Sequence, residues 1–215
     1  MGLFTIMSTV QNFAYIFDFD GVLVDSMQLH FQCLVNVCRN VGIQVRYDEF
    51  AAHAGIPTLL QIVWHAKKSP YPVDTENMFS QYRKLFVAGI DRIQPIECNI
   101  RLMTIFRNAG IKTAIASSSL AEFVLPITKR LGISCDAIIT IDNVKNGKPA
   151  PDLFLKAAAE LKIEPADCMV IEDADIGIEA AYRAGMAVLR YSAPYGETAH
   201  KNTITTMIVP EITAA

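Results

Sequence analysis

The chain has 215 residues, 52% of them hydrophobic, enough to bury the core of one large domain or of one domain with a small insert. Lys and Arg number 19 against 22 Asp and Glu, a formal net charge of -3 with no basic stripe, so a nucleic-acid partner is not expected. The five cysteines, Cys33, Cys38, Cys98, Cys135 and Cys168, include no Cys-x-x-Cys pair and read as small buried hydrophobes in a reducing compartment.

In chain order, Met1 to Gln11 has no basic n-region and no small-residue cleavage pattern, and Ile6 stands where an N-myristoylation signal needs Ser or Thr. No apolar run reaches the roughly 18 residues that suggest a membrane span, so a cytoplasmic location without a membrane partner is expected. Tyr15 to Phe17 is a short apolar run that ends in Asp18 and reads as a buried strand. From about Ser26 to Pro95 the pattern turns helical. Met27, Phe31, Leu34, Cys38 and Val41 mark one amphipathic helix that Gly42 would end, and further helical stretches cover Thr58 to Ala66 and Glu76 to Val87, with no strong strand. Strand-like runs resume at Lys112 to Ala116, Ala137 to Ile141, Cys168 to Ile171 and Met186 to Arg190. Between them, Phe123, Ile127 and Leu131, then Phe154, Ala157, Ala158 and Leu161, keep helical spacing, and Asp175 to Ala184 has helix-forming composition before Gly185. The tail carries Pro194, Gly196 and Pro210 and closes in a short strand-like or irregular segment. Such alternation implies an α/β fold with a Rossmann-like parallel sheet. The expected division is a core of residues 1–25 and 96–215 and an inserted α-helical cap of residues 26–95.

Ligands bind outside the carboxyl ends of the strands of an open parallel sheet. Asp18-Phe19-Asp20-Gly21 follows the first strand and Ser117-Ser118-Ser119 the second; Asn146-Gly147-Lys148-Pro149 comes after the third, and Glu172-Asp173 ends the fourth. Several carboxylates in one crevice repel and call for a cation, and Mg²⁺ takes oxygen ligands of this kind. Asp18 can then serve as a covalent nucleophile. Gly21 allows the chain to bend so that Asp20 turns to the same crevice as an acid/base. Lys148 would hold a transferring phosphoryl group. Ser119-Leu120-Ala121-Glu122 has the capping-box pattern, which would set the Ser117 hydroxyl beside free backbone N–H groups, and Pro151 suits the first turn of the next helix. Singly, each piece has a plainer role: a turn, a cap, a solvated loop, a surface lysine. Their common position at strand ends carries the functional reading.

These residues resemble the haloacid dehalogenase-like hydrolase superfamily. The resemblance rests on Asp18-Phe19-Asp20-Gly21-Val22-Leu23-Val24-Asp25-Ser26, Ile115-Ala116-Ser117-Ser118-Ser119, Gly147-Lys148-Pro149-Ala150-Pro151-Asp152 and Ile171-Glu172-Asp173 with the following Ala174 to Ala181. It implies a Rossmann-like core with a helical cap inserted after the first motif. Asp18 would be nucleophile and metal ligand, and Asp20 acid/base with its backbone carbonyl on Mg²⁺. Ser117 and Lys148 would bind the phosphoryl group, with Ser118 beside them, and Asp173 would ligate the metal, with Glu172 next to it. The pattern is similar to the beta-phosphoglucomutase and phosphoglycolate-phosphatase branch, and Ala174 departs from the Ser of many relatives.

In the cap, His30 lies where beta-phosphoglucomutases place a histidine; otherwise it is a solvated helix residue. Gly55-Ile56-Pro57-Thr58 resembles a substrate-contacting loop, with Thr58 where the mutases carry Arg. Trp64 and His65 read as packing or surface residues. The expected activity is hydrolysis of a small phosphorylated metabolite such as a sugar phosphate, by a monomer or weak homo-oligomer. A phosphosugar mutase and a non-catalytic binding protein are the alternatives.

Overall fold

The computed structural model describes residues 13–192 and 203–208. The chain enters through β1 (Ala14–Phe17), whose apolar residues alternate between two faces: Ile16 packs with Leu153, Phe154 and Ala157, Phe17 with Phe123 and Ile127. After β2 (Val24–Asp25) come four helices, α1 (Met27–Arg39), α2 (Tyr47–Ala51), α3 (Thr58–Ala66) and α4 (Thr75–Gly89), and then β3 (Gln94–Pro95). The remainder alternates: α5 (Glu97–Asn108), β4 (Lys112–Ala116), α6 (Ala121–Arg130), β5 (Ala137–Ile139), α7 (Asp152–Leu161), β6 (Cys168–Glu172), α8 (Asp175–Arg183), β7 (Ala187–Ser192) and β8 (Thr203–Ile208).

The main sheet runs β5-β4-β1-β6-β7-β8, with β8 antiparallel to β7 and every other pair parallel. β1 is therefore inside the sheet, with β4 and β5 laid down on one side of it and β6, β7 and β8 on the other, and the crevice opens at its carboxyl end, where the strand order reverses. The α/β expectation holds. Strand β8 makes the tail strand-like in part; Pro194, Gly196 and Pro210, like Met1 to Gln11, lie outside the described residues.

Four local differences from the sequence expectation have physical causes. β5 stops at Ile139, because Thr140 turns the chain: its N–H donates to Asn143 Oδ1 at 2.8 Å and Ile141–Asn143 form a 3₁₀ turn. β2 and β3 pair antiparallel, Val24 opposite Pro95, and the Ile96 N–H donates to the Leu23 carbonyl at 2.8 Å. This two-residue ribbon ties the two ends of the helical segment together and is too short to show a period. Pro151 is the N-cap of α7 rather than part of its first turn. The expected capping box at Ser119 does not form: Leu120 is the N-cap of α6, and the Ala121 N–H is satisfied by the Asp142 carboxylate at 2.6 Å. Helices α2 and α5 are additional to the sequence reading.

The helical segment closes on itself and on the sheet. α1 buries Leu29, Cys33, Leu34, Val37 and Cys38, largely against α4. α4, capped by Asp74 accepting from the Asn77 N–H at 2.9 Å, buries Tyr82 and Phe86. Phe86 meets Phe123 of α6 with ring centres 4.4 Å apart, so the core is continuous across the junction. None of the helices among the described residues is long and apolar enough to cross a membrane.

Candidate active site

β1 delivers Asp18 to the crevice, and the Asp18 N–H donates to the Ile171 carbonyl at 2.9 Å, continuing the sheet register by one residue. The chain then leaves the strand. Gly21 sits at φ 86, in the left-handed region, and a Cβ there would lie 2.3 Å from Asp173 Oδ2, so glycine is required both for the bend and for the approach of Asp173. The bend turns Asp20 toward the same crevice, as the sequence requires.

Lys148 is 2% exposed and is clasped by two carboxylates: its Nζ contacts Asp18 Oδ1 and reaches Glu172 Oε2 at 3.4 Å. Burial would lower the Lys148 pKa, but Asp18 and Glu172 outweigh it and the net shift is upward. Glu172 is completely buried and its Oε1 has no hydrogen-bond partner. Burial, with the Asp18 charge added, raises the Glu172 carboxyl well above the usual range. Burial also raises Asp18 against the pull of Lys148. Asp173, beside them, is pushed to about 7 by burial and then by Asp18. Oxygens of Asp18, Glu172 and Asp173 lie within 4.8 Å of one another. Three hard oxygen donors that resist ionising together, one carrying an unpartnered buried oxygen, fit a divalent cation such as Mg²⁺.

Asp20 has a different environment. Its Oδ1 accepts from Ser26 Oγ and contacts His30 Nε2 at 3.1 Å; its Oδ2 accepts from Ser119 Oγ at 2.6 Å and Ser117 Oγ at 3.3 Å. Burial would raise Asp20, but His30 and then the hydroxyl donors overcome it and hold the carboxyl down at about 2. The two carboxylates two residues apart are thus driven in opposite directions, and a cation beside Asp18 would return that carboxylate to the ionised form a nucleophile needs.

Sequence reasoning brought Asp18, Asp20, Ser117, Lys148, Glu172 and Asp173 to one place, and the structure places them there. Ser117 bonds Asp20 and also accepts from the Ser119 N–H at 3.0 Å. Ser118 lines the cavity with its Oγ buried and unpartnered. His30 is 7% exposed, which removes the solvated alternative: its Nδ1 is hydrogen-bonded to the Tyr82 hydroxyl and its ring lies 4.3 Å from Phe86. Gly55, at φ 84, lies against Ala174, to which a Cβ would come within 3.3 Å, and Thr58 lines the cavity wall. Ser26, Ser119 and Tyr82 were missed as site residues. Ser26 lay inside the first motif; Ser119 was assigned to a cap; Tyr82 had no signal beyond its helix. Gly177 was also missed: a Cβ there would fall 1.6 Å from Glu172 Oε1, so α8 can pass over Glu172 only with glycine. His65 is fully buried with neither ring nitrogen partnered, which makes it a packing residue, and burial holds it down at about 4.

A Rossmann-like sheet with an acid cluster at its central strand end, a lysine clasped by it and a helical segment over it defines a class of hydrolase. Residues 15–191 match the haloacid dehalogenase-like hydrolase family, and the chain belongs to that family. It is 32% identical over 210 residues to the protein Suppressor of Quenching 1, chloroplastic, of Arabidopsis thaliana, covering 93% of this chain but only 20% of that protein's length. It is 30% identical over 183 residues to the fructose-1-phosphate phosphatase YqaB of Escherichia coli K12, covering 80% of this chain and 92% of that one. The solved beta-phosphoglucomutase of Clostridium difficile superposes with a TM-score of 0.74 at 27% identity, covering 82% of this chain and 83% of the other.

Proposed function

We propose that the chain is a Mg²⁺-dependent phosphatase that hydrolyses a small phosphorylated metabolite of the sugar-phosphate type through an aspartyl-phosphate on Asp18. The convergence of Asp18, Lys148, Glu172 and Asp173, with Asp20 lining the same cavity, carries this reading. Likeness to a fructose-1-phosphate phosphatase supports the substrate class. Residues 26–95 act as the cap and residues 1–25 with 96–215 as the catalytic core.

Asp18, Asp173 and the Asp20 carbonyl would hold the ion, with Glu172 beside them. Bound there, Mg²⁺ would neutralise charge and let an anionic nucleophile meet an anionic ester. Lys148 occupies Asp18 Oδ1, which leaves Oδ2 for attack on phosphorus. As the Asp18–phosphorus bond forms, the bond to the leaving oxygen breaks, and Asp20 protonates that oxygen. Water then attacks the aspartyl-phosphate and passes its proton to Asp20, freeing phosphate and Asp18. The described arrangement of Asp20, ionised and accepting from four side chains, suits the second step; the first requires it to take up a proton and release one donor.

Isomerisation is the second reading, favoured by the contact of His30 with Asp20 and by likeness to a beta-phosphoglucomutase. Against it, the cap side of the cavity, whose polar residues are His30, Thr58 and Gln61, has no lysine or arginine, so a second phosphate lacks a guanidinium or ammonium partner. The deciding assay supplies beta-glucose 1-phosphate with a trace of its 1,6-bisphosphate and measures free phosphate and glucose 6-phosphate separately. Phosphate release is expected; rapid 6-phosphate formation with little phosphate would establish the mutase.

A further inference from the structure

The catalytic cavity measures about 40 Å³, room for a few waters or a phosphoryl group at the ~10–15 Å³ one water needs, and none for a leaving group. Beside it lies a groove of about 320 Å³ between the first turn of α3 and the 141–147 segment. That is the lower end of small-molecule sites, roughly 300–1,000 Å³. Thr58 and Ser118 line both, and the buried, unpartnered Ser118 Oγ sits at their junction. The groove walls are Pro57, Leu59, Leu60 and Phe79 on the helical segment and Leu120 and Ile141 on the sheet side. Leu60 is 54% exposed, and Leu59 is exposed as well, a cost that an apolar occupant would remove.

Charge in this groove does not suit a second phosphate. Its charged residues are Asp142 and Lys145, of opposite sign, and the Asp142 carboxylate is already engaged by the Ala121 N–H and the Thr140 hydroxyl. A second groove also borders the catalytic cavity, through Met27, Ala54 and Asp173, but it opens on the metal-ligand side, away from Ser118, and its one cation, Arg190, is taken up by Asp175. The Ser118 side is also the side of Ser119, whose hydroxyl bonds the acid/base Asp20.

We propose that the groove between α3 and the 141–147 segment is the leaving-group subsite, and that the substrate is a monophosphate ester whose uncharged leaving group lays an apolar face against it. This rests on the phosphatase reading above but not on its sugar-phosphate type: it points to esters with few hydroxyls on one face and no second phosphate. A site built to hydrogen-bond a polyol rejects the analogue that lacks hydroxyls, whereas an apolar site prefers it.

The test uses the whole chain with Mg²⁺ and four substrates: acetyl phosphate, cyclohexylmethyl phosphate, glucose 6-phosphate and fructose 1,6-bisphosphate. Acetyl phosphate reports the catalytic cavity alone. kcat/KM for cyclohexylmethyl phosphate should exceed that for both sugar phosphates by roughly tenfold or more. Leu60→Asp, a change at an exposed position, should lower the ratio of cyclohexylmethyl to acetyl phosphate turnover by about tenfold. Turnover of acetyl phosphate with no cyclohexylmethyl preference, or with a ratio that Leu60→Asp leaves unmoved, overturns the subsite and leaves the phosphatase standing. Failure of all four substrates overturns the phosphatase itself. Binding answers for the groove even then: cyclohexylmethylphosphonate should bind about tenfold tighter than methylphosphonate by calorimetry, and equal affinities overturn the subsite.

Discussion

Gly177 is the third residue of α8, and its backbone is ordinary helix. On an exposed helix Gly→Ala stabilises by roughly 0.5–1 kcal/mol. Here the new Cβ would lie 1.6 Å from Glu172 Oε1, 2.2 Å from its Cδ and 2.7 Å from its Cγ. A surface glutamate would swing away. Glu172 is completely buried and reaches Lys148, so it can move only by pushing the lysine or the helix. Overpacking of this kind costs about 1–3 kcal/mol, which outweighs the helix gain, so Gly177→Ala should lose roughly 1–2 kcal/mol net. For a chain of this size that is a fall in Tm of about 2–8 °C. Displacing Glu172 also loosens Lys148, and kcat/KM should drop at least about tenfold, the cost of roughly one charge-assisted bond. Thermal unfolding and steady-state kinetics on the purified variant decide it. A raised Tm with unchanged kcat/KM would refute the packing of Glu172 beneath α8 and its part in holding Lys148.

Tyr82→Phe should lower kcat by roughly three- to tenfold with little change in KM, since one net hydrogen bond to His30 is lost and the ring packing is kept; an unchanged kcat would remove Tyr82 from the Asp20 network. His65→Leu should stabilise the chain by about 1 kcal/mol in urea unfolding, because two buried nitrogens without partners disappear; a loss of stability would mean that His65 has a partner. The Asp173 carboxyl, raised to about 7, retains its proton until near neutrality, so Mg²⁺ affinity should fall as pH drops through 7 and binding should release protons. For the metal-free fold the sign is the reverse of an ordinary acid pair: this contribution to stability is fully present below the usual carboxylate range and is lost as pH rises through about 7. Calorimetry in buffers of different ionisation enthalpy measures the proton release, and its absence would contradict the Asp173 assignment.

What was legible in the sequence divides along a physical line. β1, β4 and β6 read directly because short apolar runs buried on both faces end in polar residues, and a parallel sheet carries those ends to one crevice. Asp18, Lys148 and Asp173 follow from that rule alone. The contacts of Asp20 with Ser26 and His30, and of His30 with Tyr82, do not, because these residues come from a bend and two helices whose approach is fixed by packing of α1 on α4. Ser119 shows a local signal losing to a tertiary one: its hydroxyl bonds Asp20 rather than its own helix, and Asp142 satisfies the helix end instead. Gly177 was read only as part of a motif; its necessity appears once Glu172 is seen beneath it.

The central claim is that the Asp18 carboxylate carries the phosphoryl group, and acid-quenched mass spectrometry of the Asp20→Asn variant tests it most directly. That variant retains Asp18, Lys148 and the acid cluster but lacks the group proposed to activate water, and positioned acid/base groups contribute roughly 10²–10⁴-fold. With Mg²⁺ and acetyl phosphate, whose leaving group needs no acid, one phosphoryl group should accumulate on the peptide containing Asp18, and Asp18→Asn should abolish it. Phosphorylation at another residue, or turnover by Asp18→Asn at the unaltered rate, would contradict the account.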